Sequence, residues 1–193
     1  VREDLKQGNK ERGYQLTDFD KNKKVLLVMG GSLGSKKLNN IIRQNIEALL
    51  HDYQIIHLTG KGLVDDSINK KGYVQFEFVK DDLTDLLAIT DTVVSRAGSN
   101  AIYEFLTLRI PMLLIPLGLD QSRGDQIDNA KNFESKGYGR HIPEDQLTEV
   151  NLLQELNDIE LHRESIIKQM ETYQESYTKE DLFDKIIHDA LNK

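Results

Sequence analysis

A doubly wound, mostly parallel α/β sheet is the fold that this chain predicts, on three observations. Short apolar runs rich in β-formers alternate with stretches of helical periodicity, the order expected of strand–helix–strand units. The runs are apolar throughout, as strands buried on both faces of a parallel sheet must be. Several of them end in turns of Gly and Ser, where such sheets gather their ligands.

Taken in order, residues 1–24 are polar and read as a lead-in with one helical turn. Residues 25–29 form an apolar strand closed by Gly30-Gly31. Leu38, Ile41, Ile42, Ile46, Leu49 and Leu50 then follow helical spacing. Residues 54–59 and 73–78 are the next strands, followed by a short helix through Leu83, Leu86, Leu87 and Ile89 and a strand at 91–95. A helix over 100–108 buries Ile102, Phe105 and Leu106, and a Pro-bracketed strand spans 111–116. The helix at 126–136 stops at Gly137, a C′ glycine. A last short strand at 139–142 precedes helices at 147–156 and 161–193; Thr178 and Asp181 have capping-box spacing with Asp in place of Glu, and Tyr173 and Tyr177 serve helix packing. The division expected is a lead-in at 1–24, a ligand-binding domain at 25–160, and C-terminal helices at 161–193 that pack back on the domain or on a missing half.

At 193 residues, with 38% hydrophobic and 30% charged side chains, the composition is that of one soluble globular domain. The absence of Cys removes disulfides, thiolate metal sites and Cys nucleophiles. No apolar run approaches the roughly 18 residues of a membrane span, and no signal peptide is visible. The net charge of −7 is uneven: residues 144–193 hold five basic and thirteen acidic side chains, leaving the middle of the chain almost neutral. That balance argues against nucleic acid, which selects a basic face. The five His residues are scattered without metal-ligand spacing, so no built-in metal site is expected. The chain opens on Val1 rather than Met and is expected to be a fragment or processed product.

Four turns carry the polar signal. In Gly30-Gly31-Ser32-Leu33-Gly34-Ser35 the second glycine of G-x-G-x-x-G is replaced by Ser32, and the Walker spacing also fails. The physics of an anion site survives: glycines admit close backbone approach, and a helix N-terminus aims N–H groups at the ligand. Ser32 or Ser35 would cap that helix. The run Ser95-Arg96-Ala97-Gly98-Ser99-Asn100 opens a second helix N-terminus on the same sheet edge. Glu104 lies one turn in, where a carboxylate repels phosphate but accepts both hydroxyls of a ribose diol; Arg96 serves phosphate or a surface pair. After the strand at 111–116, Asp125, Gln126 and Asn129 share a helix face suited to sugar hydroxyls. In Phe78-Val79-Lys80-Asp81-Asp82 the backbone can bracket a planar base, with Asp81 or Asp82 capping the helix.

Together, Gly-Gly-Ser-Leu-Gly-Ser, Ser-Arg-Ala-Gly-Ser-Asn-Ala-Ile-Tyr-Glu and Asp-Gln-x-x-Asn-Ala, in this order and spacing, resemble the carboxy-terminal half of the MurG family of cell-wall N-acetylglucosaminyltransferases. The resemblance covers nearly the whole chain; Val1-Arg2 matches the stretch that opens that half. It departs at Leu33, at Asn100-Ala101 and in the loop 119–124. The resemblance implies the donor-binding half of a glycosyltransferase B fold, Rossmann-like and facing a second half across a cleft. Carried over by position, it places Ser32 and the backbone of Gly31, Leu33 and Gly34 at the diphosphate of UDP-N-acetylglucosamine. The helix start at Ser99, Asn100, Ala101 and Ile102 supports the same group. Val79 meets uracil, Glu104 the ribose, Gln126 with Asp125 the sugar, and Arg2 the nucleotide end near the interdomain linker.

The implied reaction is inverting transfer of N-acetylglucosamine to the C4 hydroxyl of a lipid-linked muramyl-pentapeptide, lipid I to lipid II, in peptidoglycan synthesis. The catalytic base would lie in the missing amino-terminal acceptor half, so none is assigned here and the lone chain should turn over poorly. No cofactor is expected beyond a divalent cation assisting through the diphosphate. The full-length enzyme would lie on the cytoplasmic face of the cell membrane, touching it through the other half. The alternatives are a donor-binding subunit of a split two-chain glycosyltransferase, or a lipid glycosyltransferase using another UDP-sugar. A dinucleotide oxidoreductase is disfavoured by Ser32.

Overall fold

The computed structural model describes residues 5–31, 34–119 and 123–175. Six strands form one wholly parallel sheet: β1 (Lys24–Met29), β2 (Tyr53–Leu58), β3 (Tyr73–Phe76), β4 (Thr92–Ser95), β5 (Met112–Leu114) and β6 (Gly139–His141), in the order β3-β2-β1-β4-β5-β6. The expected doubly wound α/β architecture is therefore present. Val25, Leu26, Leu27 and Val28 of β1 are fully buried, which explains an apolar run with no alternation. Strand order reverses between β1 and β4, whose ends Met29 and Ser95 sit side by side. The crevice outside such a reversal is where open α/β sheets hold ligands.

The helices are α1 (Lys10–Thr17), α2 (Lys36–Gln44), α3 (Ile46–Asp52), α4 (Leu83–Ala88), α5 (Ser99–Leu108), α6 (Asp125–Ser135), α7 (Glu149–Leu161) and α8 (Arg163–Glu175). The lead-in is more than a single turn. Asn9 caps α1 by accepting from the Arg12 N–H, and its own N–H donates to Asp85 on α4. A Cβ at Gly8 would lie 2.1 Å from the Thr84 carbonyl oxygen, and one at Gly13 2.4 Å from that of Asp85. These glycines are thus the points where the segment presses onto α4, with Leu5 and Phe19 buried on either side.

The helix expected through Leu38–Leu50 is two helices. At Asn45 the backbone N–H is shared between the Ile41 and Ile42 carbonyls and the side-chain amide also donates to Ile41, so the first helix closes there and the next begins at Ile46. α6 ends as expected: Gly137 has φ +75° and donates to Glu134, and Tyr138 donates to Phe133, a complete Schellman closure. α7 starts later than its apolar spacing suggests, because Thr148 and Asn151 form a reciprocal capping box, and it runs on to Leu161. Tyr173 of α8 packs against Tyr103 and Tyr138, whose ring centroids lie 6.2 and 6.1 Å away. Tyr177, Thr178 and Asp181 lie outside the described residues.

Candidate nucleotide-sugar site

The glycine turn after β1 is folded tightly against two neighbours. Gly31 and Gly34 have φ of +87° and +75°, conformations that L side chains rarely adopt. A Cβ at Gly30 would lie 2.6 Å from the Ser35 nitrogen, and one at Gly34 2.2 Å from the Thr59 carbonyl oxygen at the end of β2. By contrast, a Cβ at Gly31 would meet nothing within 4 Å, so that residue borders open space. Ser32 and Leu33, like Arg2, lie outside the described residues. Ser35 is the cap of α2, its Oγ accepting from the Leu38 N–H at 3.2 Å.

Gly30, Gly31 and Gly34 line a cavity of about 410 Å³ together with Arg96, Ala101 and Gln126. The expected glycine turn, helix start and sugar-binding helix therefore meet in one space. On one side stands the N-terminus of α5, whose cap is Gly98 and which has no side-chain cap bond. Ser99 and Asn100 are exposed on its first turn, while Ala101 faces the cavity. First-turn N–H groups and the positive end of the helix dipole favour an anion there. Ile102 does not belong to the lining. Its side chain is fully buried in the core and its N–H donates to Gly98 at 3.1 Å, so it anchors α5 instead.

Glu104 is half-buried and sits three residues beyond Ala101, on the same face of α5 one turn deeper. Gln126 reaches the cavity from α6 with its Oε1 accepting from the Leu117 N–H at 3.2 Å, which leaves Nε2 as the atom to offer a ligand. Asp125 is exposed at the first residue of α6, after the Gly124 cap, and is not among the walls of this cavity. Asn129 donates to the Ala97 carbonyl at 3.0 Å, tying α6 to the turn before α5 rather than facing a sugar.

Arg96 is neither a surface pair nor an open cation. It is 8% exposed, donates to the Ile115 carbonyl and the Ser35 Oγ, and forms an ion pair with Glu144, itself 8% exposed. One guanidinium thus joins the ends of β4 and β5, the cap of α2, and the short 3-10 turn Glu144–Gln146. Among the described residues its Nε is buried without a hydrogen-bond partner.

Behind the turn, the Asn39 amide donates to the Thr59 carbonyl at 2.8 Å and its Oδ1 accepts from His57 Nε2 at 2.9 Å. His57 Nδ1 in turn accepts from the Tyr73 hydroxyl at 2.8 Å. Burial, reinforced by the nearby Arg43 charge, pushes the His57 pKa down to about 3, so the ring is neutral and serves structure. Sequence reasoning missed this network and the Arg96–Glu144 pair. Their partners are far apart in the chain, and a single buried His or Glu leaves no local pattern.

Val79 lies elsewhere on the same edge. With Phe78, which is 65% exposed, it lines a cavity of about 340 Å³ that shares no lining residue with the first. Neither Asp81 nor Asp82 caps α4 through its side chain: Asp82 occupies the cap position without such a bond. A larger cavity, about 940 Å³, opens at the other end of the sheet between α3 and α7. There Lys24 and the Tyr53 hydroxyl both engage Glu160, so its charges are satisfied internally. Among the described residues no three His, Cys, Asp or Glu side chains are grouped to hold a metal ion, and no helix is long and apolar enough to cross a membrane.

The chain is 82% identical over 191 residues to the UDP-N-acetylglucosamine--N-acetylmuramyl-(pentapeptide) pyrophosphoryl-undecaprenol N-acetylglucosamine transferase of Staphylococcus haemolyticus, covering 99% of this chain and 54% of that protein. The like-named protein of Staphylococcus saprophyticus is 74% identical over 194 residues, covering 100% and 54%. The chain therefore spans about half the length of the curated relatives it matches. Among solved structures, Acinetobacter baumannii MurG superposes with a TM-score of 0.62 at 22% identity, over 82% of this chain and 47% of that one. The glycotransferase of kitacinnamycin gives a TM-score of 0.66 at 19% identity, over 79% and 38%. These structural likenesses establish the fold, one half of a glycosyltransferase B architecture. Residues 25–186 match the glycosyltransferase family 28 C-terminal domain, and the chain belongs to that family.

Proposed function

We propose that this chain is the donor-binding half of an inverting N-acetylglucosaminyltransferase that converts lipid I to lipid II in peptidoglycan synthesis, with UDP-N-acetylglucosamine as donor. The observation that carries the reading is the 82% identity, along almost the entire chain, to a transferase named for that donor and acceptor. The cavity supports it: the glycine turn and the α5 N-terminus converge where a diphosphate would lie, with Glu104 one turn away and Gln126 opposite.

In this reading the backbone of Gly31, Leu33 and Gly34, with Ser32 and the first turn of α5, holds the diphosphate. Glu104 accepts from the ribose hydroxyls, Val79 offers backbone groups to uracil beside the Phe78 ring, and Arg2 lies at the nucleotide end. Gln126 Nε2 donates to a sugar hydroxyl, with Asp125 beside it. The acceptor's C4 hydroxyl attacks the anomeric carbon, the bond to the diphosphate oxygen breaks, and configuration inverts. Negative charge grows on the leaving diphosphate, where preoriented N–H groups stabilise it without rearranging. The base that takes the hydroxyl proton, the lipid-linked acceptor and the membrane surface are assigned to an amino-terminal half. The whole enzyme is placed peripherally on the cytoplasmic face of the membrane. No resident metal is assigned; a divalent cation would act through the diphosphate.

Calorimetric titration tests the reading. The chain should bind UDP and UDP-N-acetylglucosamine in preference to NAD, and Gln126→Ala should weaken UDP-N-acetylglucosamine about tenfold while leaving UDP unchanged. Transfer to a lipid-linked acceptor should appear only when an amino-terminal half is added, because proximity and the base come from it. Tighter binding of NAD than of either UDP ligand would sink the assignment. Robust transfer by the chain alone would place the base within these residues, with Asp125 the first to examine.

A further inference from the structure

A diphosphate brings at least two negative charges, whereas backbone N–H groups and helix dipoles supply only partial positive ones. Among the described residues the one cation in the wall of the cavity is Arg96, and its charge is already cancelled by Glu144. Lys37, near the start of α2, spends its ammonium on the Glu144 carbonyl oxygen. Among the described residues the site therefore holds a shape for the anion but no uncommitted charge inside it.

The loop after β2 supplies one. Gly60-Lys61-Gly62 is pressed onto the glycine turn: a Cβ at Gly34 would lie 2.2 Å from the Thr59 oxygen and 3.0 Å from the Gly60 Cα. Gly60 and Gly62 have φ of +94° and +71°, so the backbone turns sharply on both sides of the lysine. The loop is pinned at its ends. Gly60 donates to the Glu77 carbonyl, the Gly62 N–H to Glu77 Oε1 at 2.8 Å, and Arg43 to the Leu63 carbonyl at 2.6 Å. Lys61 itself is exposed, and no carboxylate among the described residues pairs with it. A fixed base with a free four-carbon stem suits a cation that closes on a ligand after it has bound.

We propose that Lys61 is a diphosphate-binding residue, the mobile positive charge that reaches over the glycine turn to the nucleotide donor. The proposal rests on the donor-site reading above and adds to it a residue outside the three turns that define that site. Lys36, exposed at the first residue of α2, is a rival.

Calorimetry with UDP, UMP and uridine separates the possibilities. Lys61→Ala should weaken UDP about tenfold and UMP about threefold, as loss of one charge-assisted contact implies, with uridine changed less than about twofold. Lys61→Arg should restore UDP, and the dependence of UDP affinity on salt should be flatter in Lys61→Ala than in the parent. Lys168→Ala, which removes the same charge from exposed α8, should behave as the parent. Equal losses for all three ligands would mean a distorted turn and overturn the proposal, as would an unchanged UDP affinity or a diphosphate-specific loss in Lys36→Ala instead. A parent chain that binds neither UDP nor uridine would overturn the donor-site reading itself, a result distinct from failure of Lys61 alone.

Discussion

Arg96 and Glu144, 48 residues apart in sequence, form a buried ion pair directly behind the candidate diphosphate cradle. The pair is enclosed, with side chains 9% and 10% exposed, and Ser35 bridges it by accepting from Arg96 while capping α2. Its role is positional: it holds the glycine turn, the start of α5 and the end of β5 in one arrangement.

Removing one partner leaves the other charged and buried. Glu144→Ala should therefore destabilise the chain by about 3–5 kcal/mol, the usual cost of an orphaned buried charge. Denaturant titration should show a lower midpoint with an unchanged slope. A loss below about 1 kcal/mol would show that the pair is solvated in solution.

The ribose clamp gives a second test. Glu104→Gln keeps the shape of the side chain but removes its charge, weakening hydrogen bonds worth about 1.5–3 kcal/mol each. UDP should bind at least about tenfold more weakly, whereas 2′,3′-dideoxy-UDP should bind the parent and the variant alike. Equal weakening of both ligands would remove Glu104 from the ribose.

Gly31 and Gly34 make a paired prediction, since both have positive φ but only one is crowded. Gly31→Ala should cost about 1 kcal/mol of backbone strain and keep the fold, yet reduce UDP affinity because the new methyl group stands in the open space before the turn. Gly34→Ala adds a collision with the Thr59 carbonyl and should destabilise by more than about 3 kcal/mol. Thermal unfolding and UDP titration of the two variants distinguish them; equal stability losses would contradict the packing of Gly34 on β2.

The sheet was legible because full burial removes alternation: Val25–Val28 reads as one apolar block since both faces are covered. Gly31, Gly34 and Gly137 were legible because positive φ selects glycine. α1 was not, because its helix is held by close approach of Gly8 and Gly13 to α4, and glycines in a polar segment look like loop. At the site, Ala101 came only with the motif of the resemblance; the structure puts it in the cavity wall, with Glu104 three residues on along the same helix face. Ile102 could not be told from them, since a motif names consecutive residues while a helix buries one of them. For Arg96 the sequence left a phosphate role and a surface pair equally open, because Glu144, the buried partner that neutralises it, is distant in the chain.

The neutral His57 makes the last prediction, a pH dependence. Its pKa is near 6.5 in the unfolded chain and about 3 when folded, because burial disfavours the charged ring. Between these values the unfolded state binds a proton that the folded state refuses, so stability falls as pH drops from about 6.5 toward 3. The slope from this one group is about 1.4 kcal/mol per pH unit, for a total of roughly 4–5 kcal/mol. Above pH 7 both states are neutral at this position and the group contributes no slope. Carboxylates add their own acid dependence, so the informative quantity is the difference between the parent and His57→Gln, which retains hydrogen-bonding atoms but cannot titrate. The variant should be less stable at pH 7, because the Asn39 and Tyr73 contacts fit imidazole, and the gap should close or reverse by pH 4. Urea titrations at pH 7.5, 6, 5 and 4 measure it. Parallel stability curves for the two proteins across that range would mean that His57 titrates equally in the folded and unfolded chains, and the buried network behind the glycine turn would have to be open to water.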